Sequence, residues 1–242
     1  APGEFRSAVI FLGGLGTTKE KLAFGRRRKV FEEAGHAVVL ADHYNEGERR
    51  DKILEPEANR AGWQRNQRDL FWRAIHATAV GIPLLVDFAE ACFGATVEVF
   101  AYGASMGGDI FLSSLLQERR LLAVCLERAT PDWLRPNSEA NALDAQCAAG
   151  DALYLQNCPC NRVEEYVEHP TDVLFLCGED DNHVPMASAT GFANALRQRR
   201  AELSPPAGNH GAHGTRGGRR GRLELCALPS GGWHGHVLVD AA

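Results

Sequence analysis

Short apolar runs rich in β-branched residues alternate along this 242-residue chain with segments of helical periodicity. Such alternation is typical of βαβ units, which build a mostly parallel sheet with helices on both faces. The predicted strands are Ala8–Leu12, Ala37–Ala41, Val97–Tyr102, Leu121–Leu126, Asp172–Cys177 and Leu223–Leu228. The length suits one domain with a sizeable core. We therefore predict a single α/β domain over residues 1–242.

Helical patterns fill most of the intervals between these strands. They cover Thr18–Ala34, Gln67–Phe93, Asp109–Gln117 and Met186–Arg199. Pro83 stands inside the second of them and should break or kink it, because proline lacks the N–H of a helical hydrogen bond. Two segments interrupt the alternation. Thr130–His169 is predicted to form a small helical lid over the strand ends, and the Gly- and Arg-rich Pro205–Arg222 to form a flexible surface loop.

The composition is that of an ordinary globular protein, with 45% hydrophobic residues and a formal net charge of −5. Nothing in it calls for a nucleic-acid partner, and the arginines of Pro205–Arg222 are interpreted as a solvated surface. The apolar runs Val80–Ala89 and Val173–Cys177 are too short to cross a bilayer. The first residues hold no hydrophobic region of a signal peptide, and we expect a cytoplasmic protein.

Seven cysteines are present, an odd number without the spacing of a small disulfide scaffold. Cys125, Cys177 and Cys226 fall inside apolar strand patterns, where cysteine behaves as a small hydrophobe, and this favours a reducing compartment. Cys158-Pro159-Cys160 is the one close pair. A metal ion would need two further ligands at a matching spacing. The sequence offers none, and we predict neither a metal nor an organic cofactor.

The third predicted strand runs directly into Gly103-Ala104-Ser105-Met106-Gly107, and a helical pattern follows at once. This strand–turn–helix context is that of a nucleophile elbow. Gly103 and Gly107 are predicted to lie where a side chain would strike neighbouring backbone. Ser105 would then be held in strained backbone at the carboxyl end of a strand, with its hydroxyl available for attack.

A serine hydroxyl is a weak nucleophile that needs a base, and the base needs a group to orient it. Two later strands end in suitable residues. An acidic turn, Gly178-Glu179-Asp180-Asp181, follows the fifth strand. The last strand is followed by a segment that contains His234 and His236. The order serine, acid, histidine is the one found in α/β-hydrolases.

With these motifs the chain resembles the α/β-hydrolase superfamily, and within it the single-domain serine esterases similar to dienelactone hydrolases and acyl-peptidase-like hydrolases. In those enzymes the acid stands in a Gly-x-x-Asp-x-x-Val-Pro pattern, which residues 178–185 match. The resemblance implies that Asp181 is the acid, with Glu179 and Asp180 as the alternatives. It also implies the α/β-hydrolase fold, a doubly wound sheet flanked by helices.

The same resemblance assigns the base to His234, since these enzymes place Gly-His after the last strand. This chain differs in having Trp233 before that histidine and in offering His236 as a second candidate. His234 lies nearer the strand end, and we prefer it for that reason. His183, two residues after Asp181, is expected to border the site without being the base.

The resemblance also implies two donors for the oxyanion. The N–H of Met106, the residue after the nucleophile, supplies one. The N–H of Leu15 supplies the other, in a loop that looks like the His-Gly-x-Gly segment of the family. Gly13 stands where that histidine usually is, which puts the rigidity of the loop in question. The segment Ala41–Arg49 also resembles an Asp…Gly-Glu-Arg segment of these enzymes.

The sequence thus predicts a serine hydrolase that cleaves carboxylic esters of small molecules through an acyl-enzyme. Peptidase or thioesterase activity would use the same triad, and fold does not separate these substrates. The alternative from a different class is a non-catalytic binding protein that retains the hydrolase fold. Neither the substrate nor the oligomeric state follows from the sequence.

Overall fold

The computed structural model describes residues 5–49, 71–135, 148–203 and 220–228. All six predicted strands are present and form one parallel sheet in the order β2-β1-β3-β4-β5-β6. Their bounds are β1 Ser7–Leu12, β2 Ala37–Leu40, β3 Glu98–Ala104, β4 Ala123–Glu127, β5 Asp172–Gly178 and β6 Leu223–Leu228. The predicted α/β class is therefore confirmed.

The strand order positions the functional end of the molecule. From β1 the chain moves outward to β2, then crosses back to β3 and continues through β4 and β5 to β6. The connections of β1 and β3 therefore leave the sheet in opposite directions. Such a reversal opens a crevice at the carboxyl ends of the strands, which is where open α/β sheets bind ligands. The loops after β1 and β3 border this crevice, and the loops after β4, β5 and β6 continue the same edge.

Eight α-helices lie in the described residues. They are α1 Lys19–Ala23, α2 Arg26–Glu33, α3 Trp72–Val80, α4 Ile82–Phe93, α5 Met106–Ser114, α6 Ala148–Asn157, α7 Val163–Tyr166 and α8 Met186–Leu203. Short 3₁₀ turns cover Gly47–Arg49 and Pro159–Asn161. The main core cluster joins α3, α4, α5 and α8 to one face of the sheet, and α1 and α2 pack on the other face.

The prediction of one continuous helix over Thr18–Ala34 is wrong, because the structure has two helices that meet at Phe24 and Gly25. Gly25 is extended, with φ of −72° and ψ of 144°, and its N–H donates to the carbonyl of Leu22 at 2.8 Å. Phe24 at this break is 88% exposed. The predicted helix is thus divided in two by the extended backbone of Gly25.

The predicted break near Pro83 is confirmed. Helices α3 and α4 meet at Gly81, and Pro83 stands in the first turn of α4. The N–H groups of a first turn have no intrahelical acceptor, so a proline there breaks no helical hydrogen bond. Together Trp72–Phe93 is the one stretch of the described residues that is long and apolar enough to cross a membrane. Core helices pass the same test, and Trp72, Ile75 and Ile82 are fully buried against the sheet. The stretch is not evidence of a membrane span.

The described parts of Thr130–His169 pack into the core. Trp133 is fully buried, Tyr154 and Tyr166 are nearly so, and all three belong to the main hydrophobic cluster. The indole N–H of Trp72 donates to the carbonyl of Trp133 at 3.2 Å. Residues 136–147 of this segment lie outside the described residues. So does most of the predicted loop Pro205–Arg222, of which only 220–222 are described.

Candidate active site

The turn after β3 holds Ser105 in a backbone conformation that few side chains adopt. Its φ of 53° lies in the left-handed region, with ψ at −121°. The Ser105 carbonyl accepts hydrogen bonds from the N–H groups of Gly108 (2.8 Å) and Asp109 (3.1 Å), and its own N–H donates to the carbonyl of Glu127 at 2.7 Å. Ser105 itself is half-buried. Hydrogen bonds to α5 and to the end of β4 therefore offset the strain at the serine.

Two glycines make this turn possible. A Cβ at Gly103 would lie 2.5 Å from the carbonyl carbon of Gly107, and a Cβ at Gly107 would lie 2.4 Å from the carbonyl oxygen of Leu12. Both distances are far below van der Waals contact with backbone that cannot move aside. The glycines of the Gly-x-Ser-x-Gly pattern are therefore required by packing, as the sequence predicts.

The loop after β1 runs beside the serine. A Cβ added at Gly14 would stand 3.4 Å from the Cβ of Ser105 and 3.9 Å from its Oγ, so the loop backbone runs close to the serine side chain. Leu15 is the next residue of this loop. Met106 is the first residue of α5, where N–H groups have no intrahelical acceptor. The chain segments that carry the two predicted oxyanion donors thus flank Ser105.

Acidic side chains from the segment after β2 anchor this loop. The Gly16 N–H donates to Oε1 of Glu46 at 2.6 Å, and the Lys19 N–H donates to Oδ1 of Asp42 at 2.8 Å. The Lys19 ammonium reaches Oδ2 of Asp42 at 3.1 Å. Burial alone would raise the pKa of Asp42, but these donors outweigh it and leave that pKa below its ordinary value. The anchors are residues for which the sequence analysis found a family likeness but no role.

Packing explains why position 13 is a glycine. A Cβ there would lie 2.6 Å from Cγ2 of Thr17. The Thr17 N–H donates to the carbonyl of Gly14 at 3.0 Å and closes a tight turn over the same space. The loop thus has no anchoring side chain at position 13. A compact turn and the carboxylates of Asp42 and Glu46 hold it in place instead.

Asp181 lies in the turn after β5 and is the most strongly hydrogen-bonded of the three candidate acids. Its Oδ1 accepts the N–H groups of His183 and Val184, each at 2.9 Å, and its Oδ2 accepts Nε of Arg128 at 3.1 Å. Burial would raise its pKa, but these donors together hold the pKa of Asp181 below its ordinary value. The carboxyl group is therefore ionised at neutral pH. A carboxylate has about four acceptor positions, so room remains for one further donor.

The two alternative acids have different surroundings. Glu179 and Asp180 are exposed, whereas the side chain of Asp181 is only 10% exposed. The Glu179 N–H donates to the carbonyl of Leu228 at the end of β6, at 3.1 Å. The acid turn is thus joined to the point where the chain leaves the last strand. Both histidines predicted as candidates for the base, His234 and His236, lie beyond that point, outside the described residues.

A cavity of about 370 Å³ opens beside the acid turn, between the ends of β4 and β5. Its lining includes Thr130, Asp132, Leu134, Arg135, His183 and Val184. Burial lowers the pKa of His183, and the charge of Arg135 lowers it further, so this imidazole is neutral at neutral pH. His183 therefore borders a cavity at the carboxyl edge of the sheet.

Two ion pairs that the sequence does not predict support the elbow, one fully buried and one with an exposed arginine. Asp109, in the first turn of α5, accepts the N–H of Thr130 at 2.8 Å and pairs with the buried Arg135. Glu127, at the end of β4, pairs with Arg27 of α2 at 2.6 Å. Each of these carboxylates stands inside an apolar run of the sequence. A carboxylate stays buried only when it is paired, so this position was a local signal that a partner exists.

Comparison with known proteins places the chain among hydrolases. A model of the prolyl oligopeptidase family matches residues 87–228, which is more than half of the chain and runs from α4 through β6. No curated protein matches it at the level of sequence.

Solved structures share its fold. TT1662 from Thermus thermophilus is 21% identical, with a TM-score of 0.66, over 95% of this chain and 82% of that chain. Est1E from Butyrivibrio proteoclasticus, solved with bound ferulic acid, is 15% identical. The match has a TM-score of 0.59 and covers 93% of this chain and 80% of Est1E. An acylaminoacyl peptidase from Pyrococcus horikoshii is 12% identical, with a TM-score of 0.59, over 98% of this chain but 35% of its own. These similarities confirm the predicted α/β-hydrolase fold.

The contact between Glu46 and Gly16 makes a test of loop anchoring possible. Glu46→Ala should lower kcat of hydrolysis about tenfold with little change in KM, because a loosened loop no longer fixes the N–H of Leu15, the predicted oxyanion donor. Glu46→Gln keeps an oxygen that can accept the Gly16 N–H, and it should retain most of the activity. Steady-state kinetics of the two variants checks this, and equal losses in both would show that the hydrogen bond does not matter.

The register of the acid is tested by a pair of adjacent variants. Asp181→Asn should lower kcat by a factor of about 10³ or more with KM nearly unchanged, because an amide cannot stabilise the imidazolium that forms during the reaction. Asp180→Asn is the matched control, one residue away and exposed, and should stay close to wild type. Kinetics and thermal melts of both proteins decide the assignment. Greater damage from Asp180→Asn would contradict it.

Proposed function

The chain belongs to the prolyl oligopeptidase family, which makes it a serine hydrolase of the α/β-hydrolase kind, and we propose that it cleaves carboxylic esters through an acyl-enzyme on Ser105. In this proposal Asp181 and His234 complete the triad. The N–H groups of Met106 and Leu15 stabilise the oxyanion. No metal or organic cofactor takes part in the chemistry.

The observation that carries the proposal is the geometry of Ser105. A serine with φ of 53° between two sterically required glycines is costly to maintain, by about 1–3 kcal/mol for the backbone alone. Such strain clusters at active sites, where the fold over-determines it. A turn that merely joined β3 to α5 would need no strained non-glycine residue at its tip.

The spacing of the strands leaves room for an imidazole between serine and acid. Ser105 follows β3 and Asp181 follows β5, and with β4 between them the two strand ends are about 10 Å apart. An imidazole with a hydrogen bond on each side spans such a gap. Leu228 lies at the acid turn, and a chain of about six residues reaches up to about 20 Å, enough to bring His234 to the serine.

The proposed reaction begins when Nε2 of His234 takes the hydroxyl proton of Ser105 as Oγ attacks the ester carbonyl carbon. The carbonyl oxygen becomes an oxyanion that accepts the N–H groups of Met106 and Leu15, each worth about 3 kcal/mol in comparable sites. The imidazolium then gives its proton to the leaving alkoxide, and the alcohol departs. In the second half, Nε2 of His234 takes a proton from water as the water oxygen attacks the acyl carbon. The bond between that carbon and Oγ then breaks, Ser105 regains its proton from the imidazolium, and the carboxylic acid leaves.

Asp181 has an orienting and electrostatic role in this scheme. Its two backbone donors and Arg128 hold the carboxylate in place. One acceptor position remains for Nδ1–H of His234, which fixes the tautomer that leaves Nε2 free to accept the serine proton. Because the pKa of Asp181 is held low, the group that titrates in the neutral range is the imidazole.

The choice of small esters as substrates rests on a fold relative, because the lining of the cavity beside the acid turn includes neither Ser105 nor Asp181. Est1E, with its bound ferulic acid, is a fold relative that supports this choice. The family name and the archaeal acylaminoacyl peptidase favour a peptide substrate instead. Peptide hydrolysis is therefore the second candidate.

The triad is tested by covalent labelling. A fluorophosphonate probe should label the wild-type chain, and labelling should be lost in Ser105→Ala and in His234→Ala but remain near normal in His236→Ala. The labelling rate should rise with pH through an apparent pKa near 6.5, because the base must be neutral to accept the proton. Stronger loss in His236→Ala than in His234→Ala would move the base to His236. Unchanged labelling of folded Ser105→Ala would refute the proposal.

The substrate class is tested by a matched panel. We expect p-nitrophenyl esters of short acyl chains to be hydrolysed with kcat/KM at least 100-fold above that for aminoacyl p-nitroanilides, whose leaving group is the same ring attached through nitrogen. Acyl-thioesters complete the panel. Ser105→Ala serves as the blank for each substrate. A higher kcat/KM on the anilides would replace the esterase by a peptidase, and a flat zero on every substrate would favour a binding protein.

A further inference from the structure

Two thiols and a carboxylate meet beneath the turn Asp132–Arg135, apart from the triad. Cys158 is buried just before the 3₁₀ turn Pro159–Asn161, and Cys160 lies within that turn and is half-buried. One ligand atom from each of Asp132, Cys158 and Cys160 lies within 4.8 Å of the others. We propose that these three side chains bind a thiophilic divalent cation of the Zn²⁺ type, with solvent as the fourth ligand.

The distances suit such an ion. Zn–S bonds of about 2.3 Å in a tetrahedral arrangement place two sulfurs about 3.8 Å apart. The sulfurs of Cys158 and Cys160 are 3.4 Å apart, so the pair needs to open by only a few tenths of an ångström. Three protein ligands with one open position are the coordination of catalytic zinc sites, whereas structural sites usually have four protein ligands, so the fourth position here is open to exchange.

Hydrogen bonds already orient the donor atoms. The Trp133 N–H donates to Sγ of Cys158 at 3.3 Å. The Leu134 N–H and the Tyr154 hydroxyl both donate to Oδ1 of Asp132, each at 2.9 Å. Metal ligands are typically fixed in this way by partners behind them. The donor set is therefore preorganised before an ion enters.

The electrostatics of the cluster favour a cation. Among the residues that the structure describes, every hydrogen-bond donor to these three groups is neutral: backbone N–H groups, a phenol and thiols. Three potential anions are thus gathered without a positive side chain bonded to them, and a bound cation would supply the missing charge.

The carboxylate distinguishes a metal site from a disulfide pair. A disulfide between Cys158 and Cys160 would need only the two sulfurs, and the Asp132 carboxylate would then serve only to hold Leu134 and Tyr154. Asp132 lies far earlier in the sequence than the two cysteines, so the three residues do not form a ligand motif with a recognisable spacing. This is why the prediction of no metal, made from the Cys-Pro-Cys pair alone, misses the third donor.

A bound ion would connect the 3₁₀ turn to the wall of the cavity. Asp132 lines the cavity directly, and Leu134 and Arg135 of the same turn line it as well. Buried Trp133 stands between them. The ion would therefore hold the cavity wall in place, and it would take no part in the acyl transfer on Ser105.

The test is a titration of the full reduced chain, freed of metal by a chelator, with Co²⁺ as the spectroscopic probe and then with Zn²⁺ in competition. We expect one equivalent to bind, with thiolate-to-cobalt charge-transfer absorbance and release of thiol protons to the buffer. Cys160→Ser and Asp132→Asn should each weaken binding at least tenfold. Cys92→Ser, which alters an exposed thiol far from the cluster, should bind as wild type does.

Because Cys158 is buried and its replacement endangers folding, Cys160→Ser carries the decision, with circular dichroism to confirm that it is folded. Three results would overturn the proposal: no binding by folded wild type, equal binding by wild type and Cys160→Ser, or a Cys158–Cys160 disulfide in a protein that binds no ion after reduction. The readout does not depend on hydrolysis, so it stands or fails independently of the proposed esterase activity.

Discussion

The strained backbone of Ser105 is the constraint on which the rest of the structure depends. A φ of 53° at a residue with a side chain persists only when the surroundings leave no alternative. Here β3 lies so close to α5 at Gly103, and α5 so close to the end of β1 at Gly107, that neither glycine has room for a methyl group. The serine is consequently placed at the carboxyl edge of the sheet by packing rather than by its own preferences.

The parallel sheet then brings the remaining groups to the same edge. The loop after β1 passes close to Ser105 at Gly14, the turn after β5 presents Asp181, and Arg128 follows β4, the strand between them. The first two of these segments are anchored by carboxylates that accept backbone N–H groups. Asp42 and Glu46 hold the first, Asp181 holds its own turn, and preorganisation of this kind is what makes donors effective against a developing charge.

The sequence predicts the framework of this protein well, because strands and the elbow leave local signals. Apolar runs identified all six strands, and Pro83 marked the break between α3 and α4. The break at Gly25 was missed, although a glycine inside a helical pattern is itself a local signal for a break. Local patterns carry information about neighbours in the chain and little about distant partners.

The contacts that the sequence did not reveal are all long-range. Glu46 meets the loop after β1, Arg27 meets Glu127 across the sheet, and Asp132 meets the Cys-Pro-Cys pair. Residue types alone cannot pair such groups, because many surface carboxylates have the same local pattern. Asp181 is a different case, since a pattern of eight residues that resembles the α/β-hydrolases predicts it as the acid, and that assignment stays a prediction.

The most direct measurement of the central claim is the site of acylation during turnover. The chain is mixed briefly with p-nitrophenyl acetate, quenched in acid, digested and mapped by mass spectrometry, with Ser105→Ala treated in parallel. The account predicts an acetyl group on the peptide that contains Ser105, present in the first turnover and absent from the variant. An acetyl group confined to a cysteine or lysine, or equal in both proteins, would contradict it.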